Sequence, residues 1–302
     1  MVLQKLKSCY QHFIEAFSIW NEANASALGA AVAFYTIFAI APLFILVLAL
    51  AGILFGHEAA QHELYGQIEG LLGKNGSEAI QSILTAADKP KAGAWAAIIG
   101  FATLFVGAGS VFIQLQQSLN AIWNVRPKAS SMHAFIKQRL LSFAALLGIG
   151  FLLLVSLIIS AVLDAAGRWM GGMIPAHEVI WQFMDAALSL GIITLLFAMM
   201  FKMLPDVIIG WHDVWIGSFI TALLFTAGKF LLGAYLGRSS LSSAYGAAGS
   251  FVVVLLWVYY SAQILLFGAA SIRVYANKYG SRIQPAKNAV FITKEEKSDK
   301  KT

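Results

Sequence analysis

The feature that most constrains this chain is a series of long apolar stretches with almost no charge. Each has 21 to 28 residues, which is enough to cross a hydrocarbon core of about 30 Å as an α-helix rising about 1.5 Å per residue. The sequence therefore predicts six membrane spans, numbered 1 to 6, at residues 28–55, 94–114, 140–163, 180–201, 214–236 and 250–272.

Composition excludes an ordinary soluble protein. Only 12% of the residues are charged and 59% are hydrophobic, whereas a typical soluble domain has about 25% charged residues. A membrane β-barrel is excluded as well, because its strands would alternate apolar and polar residues over about ten positions, and residues 146–159 are apolar on every side. The predicted fold class is all-α, a polytopic integral membrane protein with six transmembrane helices.

The positive charges indicate the orientation of the spans. Of the 21 Lys and Arg residues, 15 lie at the two chain ends or in the loops after spans 2 and 4, and five lie in the other loops. Because cytoplasmic loops carry the excess of positive charge, both termini of this multi-pass protein are predicted to be cytoplasmic. The net charge of +6 suits anionic headgroups beside the spans, so membrane lipids are expected partners and nucleic acid is not.

The first 27 residues predict a cytoplasmic amphipathic segment that lies in the membrane interface. Its apolar residues share one side of a helix: Leu3, Leu6, Tyr10, Phe13 and Phe17. The six-helix membrane domain follows at 28–276. The last segment, 277–302, loses its periodicity and ends in a charged run, which predicts a disordered cytoplasmic tail.

The external loop at 57–93 is the longest one. Two stretches with helical spacing of leucine and isoleucine flank a turn at 73–76, which predicts a helical hairpin. This hairpin either covers the helix ends or binds a partner.

No constellation of residues predicts catalysis. The six histidines are scattered, and the five-residue spacing of His57 and His62 separates them by about 140° on a helix, whereas a zinc-binding pair needs a shared face. The single cysteine, Cys9, provides no ligand pair, and no serine lies in a GxSxG turn. We therefore expect no catalytic residue, no metal or cofactor site, and no enzymatic activity.

Lys229, inside span 5, is the most informative polar residue, because a lysine near a helix centre costs about 2.5 to 3.5 kcal/mol on insertion scales. Its side chain leans toward the cytoplasmic end of the span, away from the nearer outer surface, so snorkelling outward is unfavourable. Asp185, near the outer end of span 4, is the expected partner, either in a structural ion pair or in a polar pathway. Pro42 in span 1 removes the hydrogen bond to the carbonyl of Phe38 and predicts a bend there.

Several short motifs, taken in order, resemble the YihY/BrkB family of bacterial inner-membrane proteins. They are AAVAFYTIF at 30–38 with the following Ala41 and Pro42, LNAIW at 119–123, MLP at 203–205, GKF at 228–230 with Tyr235, YG at 245–246, and LWVY at 256–259. The resemblance covers residues 10–275 and implies a polytopic protein described as a transporter or as virulence-associated. It also brings a ribonuclease label that the residues here do not support, since no His/Asp metal cluster or RNA-binding domain is present. Relatives typically have Glu at the position of Ala270.

The leading functional hypothesis is a transporter or exporter of an amphipathic or anionic solute, with lipids among the candidates. The alternative is a non-transporting membrane scaffold that binds partners through the external hairpin, and a membrane-bound enzyme is a distant third. The candidate pathway residues are Lys229, Asp185, Tyr35, Pro42, Tyr235, Tyr245, Trp257 and Tyr259. The sequence leaves the solute, the coupling ion and the oligomeric state open, including assembly as a homo-oligomer.

Overall fold

The computed structural model describes residues 2–56, 109–128, 177–238 and 249–292, with isolated positions between 58 and 81. The helices in these ranges are α1 (Val2–Glu22), α2 (Ala25–Phe55), α3 (His177–Met203), α4 (Trp211–Arg238) and α5 (Gly249–Lys278). Residues 109–122 are also helical. Short strands follow the helix ends: β1 (Val125–Pro127), β2 (Val207–Ile208), β3 (Gln284–Pro285) and β4 (Ala289–Phe291).

The helices begin or end at residue types that commonly terminate helices. Asn24, between α1 and α2, has φ 55° and ψ 44°, and Asn124, after the helix at 109–122, has φ 57°. Asparagine is one of the few residues that enter the left-handed region at low cost. Gly56 ends α2 with φ 84°, and Pro205 follows the last residue of α3 closely, where a helix cannot continue. These breaks divide a mostly apolar chain into separate helices.

Helices α4 and α5 cross closely and run antiparallel. At three positions a glycine on one helix packs so tightly that an added Cβ would overlap the other helix, namely Gly217 with Ile272, Gly268 with Thr221, and Gly228 with Tyr260. The residue numbers on α5 fall as those on α4 rise, which defines the antiparallel direction. Small residues at a helix contact let two backbones approach closely, as is common between helices in a bilayer.

The other helices pack around this pair. Phe197 of α3 contacts Phe225 of α4 with ring centroids 5.7 Å apart. Helix α2 lies against α5, where the Gln263 amide sits over Gly29. The amphipathic helix α1 also lies against α5, and the rings of Phe13 and Phe267 are 5.3 Å apart. The buried core therefore runs through α5, which contacts α1, α2 and α4.

An all-α membrane protein is confirmed. Within the described residues, three helical segments are long and apolar enough to cross a membrane, Ala186–Met203, Trp211–Ala234 and Phe251–Lys278, and a shorter apolar segment covers Ala25–Ala39. They coincide with predicted spans 4, 5, 6 and 1. Spans 2 and 3 lie largely outside the described residues, so the number of six and the cytoplasmic termini stay predictions. Helix α2 continues past Pro42, and the bend there also stays a prediction.

The predicted disorder of the tail from residue 277 is wrong as far as residue 292. Helix α5 continues to Lys278, and the chain then forms two antiparallel ladders, β3 with β2 and β4 with β1. The strands have two or three residues each, too few to produce a detectable alternation. They pair backbone groups just beyond the helix ends, where intrahelical partners run out. Residues 293–302 lie outside the described part.

The structure describes only part of two further predicted segments, the N-terminal amphipathic segment and the external loop. Helix α1 has the predicted amphipathic character, with exposed apolar side chains at Tyr10 and Phe17, while its place in the membrane interface stays a prediction. The described positions of the loop at 57–93 are helical, and the Ser77 hydroxyl donates to the Tyr65 carbonyl at 3.4 Å. Most of the predicted hairpin lies outside the described residues.

Candidate functional site

Lys229 lies on α4 beside the tight crossing with α5. Its neighbour Gly228 faces Tyr260, while the Lys229 side chain is half-buried and its Nζ lies 5.9 Å from the ring centroid of Phe230. A cation over an aromatic face gains roughly 0.5 to 2 kcal/mol, less than the insertion cost of a lysine. None of the described carboxylates forms an ion pair with Lys229. The Asp185 side chain lies outside the described part, so that pairing stays a prediction.

The other predicted pathway residues are spread over three helices. Tyr35 lies on an exposed aromatic face of α2, with its ring 5.7 Å from that of Phe34. Trp257 and Tyr259 are both half-buried on α5. The side chains of Pro42 and Tyr235, and the whole of Tyr245, lie outside the described residues. None of the described candidates forms a hydrogen bond or a ring contact with Lys229.

Trp257 instead ends a column of aromatic rings through the core. Successive ring centroids are 5.7 to 6.4 Å apart along the series Trp123, Phe201, Phe197, Phe225 and Trp257. The column joins the segment after the helix at 109–122 to α3, α4 and α5. Edge and offset contacts of this kind add roughly 0.5 to 1.5 kcal/mol per pair to area burial, so Trp257 is first of all a packing residue.

Five hydroxyl groups in the described parts of the spans are satisfied locally. Thr36, Thr194, Thr221, Thr226 and Ser261 each donate to the carbonyl four residues earlier, at 2.7 to 2.8 Å. Two buried side-chain oxygens of the described spans have no hydrogen-bond partner, Ser218 Oγ on α4 and Gln263 Oε1 on α5. An unpaired polar atom inside a membrane domain is costly. Gln263 lies where α5 meets α2, and its Nε2 donates to the Ala25 carbonyl at 3.3 Å.

A network of hydrogen bonds, called here the polar junction, connects the C-terminal ends of α3 and α5 with the N-terminal end of α4. Its first part joins the helix at 109–122 to the segment after α3. The Asn120 amide donates to the Asp206 carboxylate at 2.7 Å and accepts from the Asp206 backbone N–H at 2.9 Å. Gln116 donates to the same carboxylate oxygen at 3.2 Å, and the Asp206 carbonyl accepts from the Ala286 N–H of the tail at 3.0 Å.

The second part of the junction joins α4 to the end of α5. Asp213, only 3% exposed, accepts from both the backbone N–H and the hydroxyl of Ser281 at 2.8 Å. The Ser281 hydroxyl oxygen accepts in turn from the Gly210 N–H at 2.9 Å. An added Cβ at Gly280 would overlap the Asp213 carboxylate. The sequence reasoning missed Asp206 and Asp213, although each lies beside a span end, where a helix leaves unpaired backbone groups.

Basic and indole side chains also bind carbonyl groups at these helix ends. Arg273 Nη1 donates to the Ile122 carbonyl at 2.6 Å, and Trp123 Nε1 donates to the Ala269 carbonyl at 3.1 Å. Lys202 donates to the Ile209 carbonyl. Cations near a helix C-terminus also interact favourably with the helix dipole. Ala270, next to the carbonyl that Trp123 binds, is fully buried.

Among the described residues outside the spans, His12 has a perturbed pKa. Burial, together with the nearby positive charge of Lys278, holds the pKa of His12 below its ordinary value, while Glu15 acts in the opposite direction. Lys278 also forms an ion pair with Glu15 at 2.6 Å. These contacts join α1 to the end of α5.

The described part of the chain has no group of three or more His, Cys, Asp or Glu side chains that could hold a metal ion. Its buried carboxylates are instead used in hydrogen bonds between segments.

Long apolar helices with buried polar junctions at their ends define a polytopic α-helical membrane protein. The chain matches the family described as "Virulence factor BrkB" over residues 16–293. It therefore belongs to the BrkB family, and the resemblance inferred from the motifs is confirmed. The match continues through the tail strands, beyond the residues that carried the resemblance.

Curated relatives are named as membrane proteins. A UPF0761 membrane protein of Albidiferax ferrireducens is 31% identical over 187 residues, which are 61% of this chain and 43% of the relative. Another from Pseudomonas paraeruginosa is 26% identical over 268 residues, 86% of this chain and 61% of the relative. The chain thus spans between two fifths and two thirds of the length of these relatives. No solved structure matches it.

Proposed function

We propose that this protein transports an amphipathic or anionic solute, lipids included, across the bacterial inner membrane and has no enzymatic activity. The observation that carries the proposal is Lys229, a half-buried cation on an apolar helix with no described carboxylate as partner. A charged residue kept inside a membrane domain is a functional candidate by default, because its insertion cost needs a compensating interaction.

Two buried oxygen atoms also support a polar path, one on α4 and one where α5 meets α2. Ser218 Oγ and Gln263 Oε1 are buried without hydrogen-bond partners, on the same helices that cross at Gly228. Partnerless polar atoms favour transient hydration of this region, since water would remove the cost of leaving them unpaired. A positively charged side chain beside such a path would favour an anionic solute over a cation.

The test is a flux screen with the purified chain in liposomes, using a panel of anionic and amphipathic solutes and a lipid-scrambling assay. We expect flux of at least one anionic solute, strong loss with Lys229→Met, and partial retention with Lys229→Arg, which keeps the charge. No flux across the panel, or equal flux for wild type and Lys229→Met, would contradict the proposal.

A structural ion pair with Asp185 would make a different prediction from the same variant. Breaking a buried pair leaves an uncompensated carboxylate, so Lys229→Met would lower the melting temperature and the double change with Asp185→Leu would recover much of the loss. For a solute site, Lys229→Met leaves the melting temperature nearly unchanged and removes only flux. Melting curves of the two single variants and the double variant in detergent separate these outcomes.

The scaffold alternative depends on the external loop. Its support is the hydrogen bond from Ser77 to Tyr65, which joins described helical positions on either side of the predicted turn. The test is deletion of residues 60–90 in the full chain. If the protein is a scaffold, the deletion should abolish capture of a partner protein. If the protein is a transporter, the deletion should leave flux intact.

A further inference from the structure

The antiparallel pair of β1 and β4 forms a basic ribbon, defined by Arg126, Lys128 and Lys287. In β1, Arg126 pairs with Val290 of β4. Lys128 follows β1 directly, its N–H donates to the Asn288 carbonyl at 2.8 Å, and its Nζ donates to the Lys287 carbonyl at 3.2 Å. All three basic side chains are exposed, so the ribbon presents a concentrated positive charge.

The described carboxylates at this end of the helices do not pair with the two lysines of the ribbon, and the exposed Glu22 instead lies near Arg273. Asp206 and Asp213 turn into the polar junction and are bound by amide and hydroxyl donors. Glu15 is paired with Lys278. Neither Lys128 nor Lys287 forms an ion pair with a described carboxylate. The two lysines therefore carry positive charge that no described carboxylate neutralises.

The ribbon lies near the ends of apolar helices that are long enough to cross a membrane. The span Phe251–Lys278 reaches this segment through Arg273, which donates to the Ile122 carbonyl just before β1. The segment after the span Ala186–Met203 reaches it through the Asp206 carbonyl, which accepts from the Ala286 N–H just before β4. Exposed aromatic residues lie near the ends of these helices, with Trp211 52%, Trp215 44% and Tyr279 65% exposed. Tryptophan and tyrosine are enriched where helices meet the headgroup region. A basic surface beside this aromatic belt faces headgroups.

We propose that the basic ribbon binds the phosphate groups of anionic phospholipids in the adjoining leaflet. Such headgroups attract lysine and arginine within a Debye length of the surface. The site would anchor the C-terminal strands to the membrane and stabilise the polar junction, to which the Asp206 carbonyl and the Ala286 N–H connect the tail. The inference is independent of the proposed transport, because lipid binding here requires no flux.

The test compares melting temperatures of the purified full-length chain in detergent micelles doped with rising fractions of phosphatidylglycerol. Lys128→Gln with Lys287→Gln removes two charges of the ribbon, and Lys128→Arg with Lys287→Arg keeps them. The matched control, Lys74→Gln with Lys91→Gln, removes two charges in the loop at 57–93. Melting curves without added lipid show whether each variant folds.

We expect phosphatidylglycerol to stabilise the wild type, the arginine variant and the control at similar concentrations. A lysine near an anionic surface changes binding roughly five-fold, so the glutamine variant should need roughly 25-fold more phosphatidylglycerol for the same stabilisation. High salt should shrink this difference.

Three outcomes would overturn the proposal. The glutamine variant could respond to phosphatidylglycerol like the wild type, or phosphatidylcholine could stabilise all variants equally, which would leave only apolar contacts with lipid. Inorganic phosphate could reproduce the stabilisation by phosphatidylglycerol, which would assign the ribbon to a soluble anion.

Discussion

The bond between Asn120 and Asp206 provides the most quantitative prediction. Asn120 is 5% exposed and makes two hydrogen bonds to the same residue, one to its carboxylate and one to its backbone N–H. A hydrogen bond to a charged group contributes about 1.5 to 3 kcal/mol and a neutral one about 1 kcal/mol. Asn120→Ala should therefore lower the free energy of unfolding by about 3 kcal/mol.

Exchanging the two side chains shows whether the loss of stability comes from the hydrogen bonds between Asn120 and Asp206 or from lost packing. Asn120→Asp keeps the volume and the acceptor for the Asp206 N–H but places two carboxylates together, a repulsion of about 4 kcal/mol at about 4 Å near a protein surface. The double change Asn120→Asp with Asp206→Asn restores a complementary donor and acceptor between the two side chains. It should recover most of the loss.

The assay is unfolding of the purified chain in mixed micelles with rising sodium dodecyl sulfate, followed by circular dichroism. The reasoning is refuted if Asn120→Ala unfolds at the same detergent fraction as the wild type. It is also refuted if the exchanged double variant is no more stable than Asn120→Asp alone, because then the pairing of the two side chains does not hold these segments together.

Three further predictions follow from the same structure. Gly280→Ala should destabilise the protein because its Cβ would overlap the Asp213 carboxylate, while the matched change Gly233→Ala, with open space around it, should leave thermal unfolding nearly unchanged. The folded chain lowers the pKa of His12, so the unfolded chain takes up the proton first and stability should fall as pH drops below about 6.5; His12→Gln should flatten that slope in melts at several pH values. If both termini are cytoplasmic, a membrane-impermeant maleimide added to intact cells should label Glu78→Cys, which is exposed, and leave Cys9 unmodified; the opposite labelling would reverse the topology.

The sequence predicted the parts of the fold that depend on long periodic patterns. Spans 1, 4, 5 and 6 coincide with helices because uninterrupted apolar runs leave few alternatives in lipid. The strands of the tail were not predicted, because ladders of two or three residues are too short to show an alternation of apolar and polar residues. The charged composition of the tail favoured a prediction of disorder instead. Their pairing depends on the positions of helix ends that are far away in the sequence.

The same limit applies to the candidate site. The free-energy cost of placing a lysine within a membrane span depends on that residue alone, so Lys229 could be selected from the sequence. The bonds of Asn120 to Asp206 and of Asp213 to Ser281 join residues separated by 86 and 68 positions, and no local signal connects such partners. Trp257 was selected from a motif, yet its ring contact with Phe225 places it in the packed core.

The central claim is that the side chain of Lys229 is accessible to water, although the helix that carries it faces lipid. Its most direct test replaces Cys9 with serine and introduces Lys229→Cys or, as the matched control, Phe230→Cys at the neighbouring side chain, which is 68% exposed and would face lipid. The reconstituted variants are treated with a charged thiosulfonate that reacts only in water. We predict rapid modification at position 229 and almost none at position 230. Failure of the reagent to modify position 229 from either side, or equal rates at both positions, would contradict a water-accessible path at Lys229.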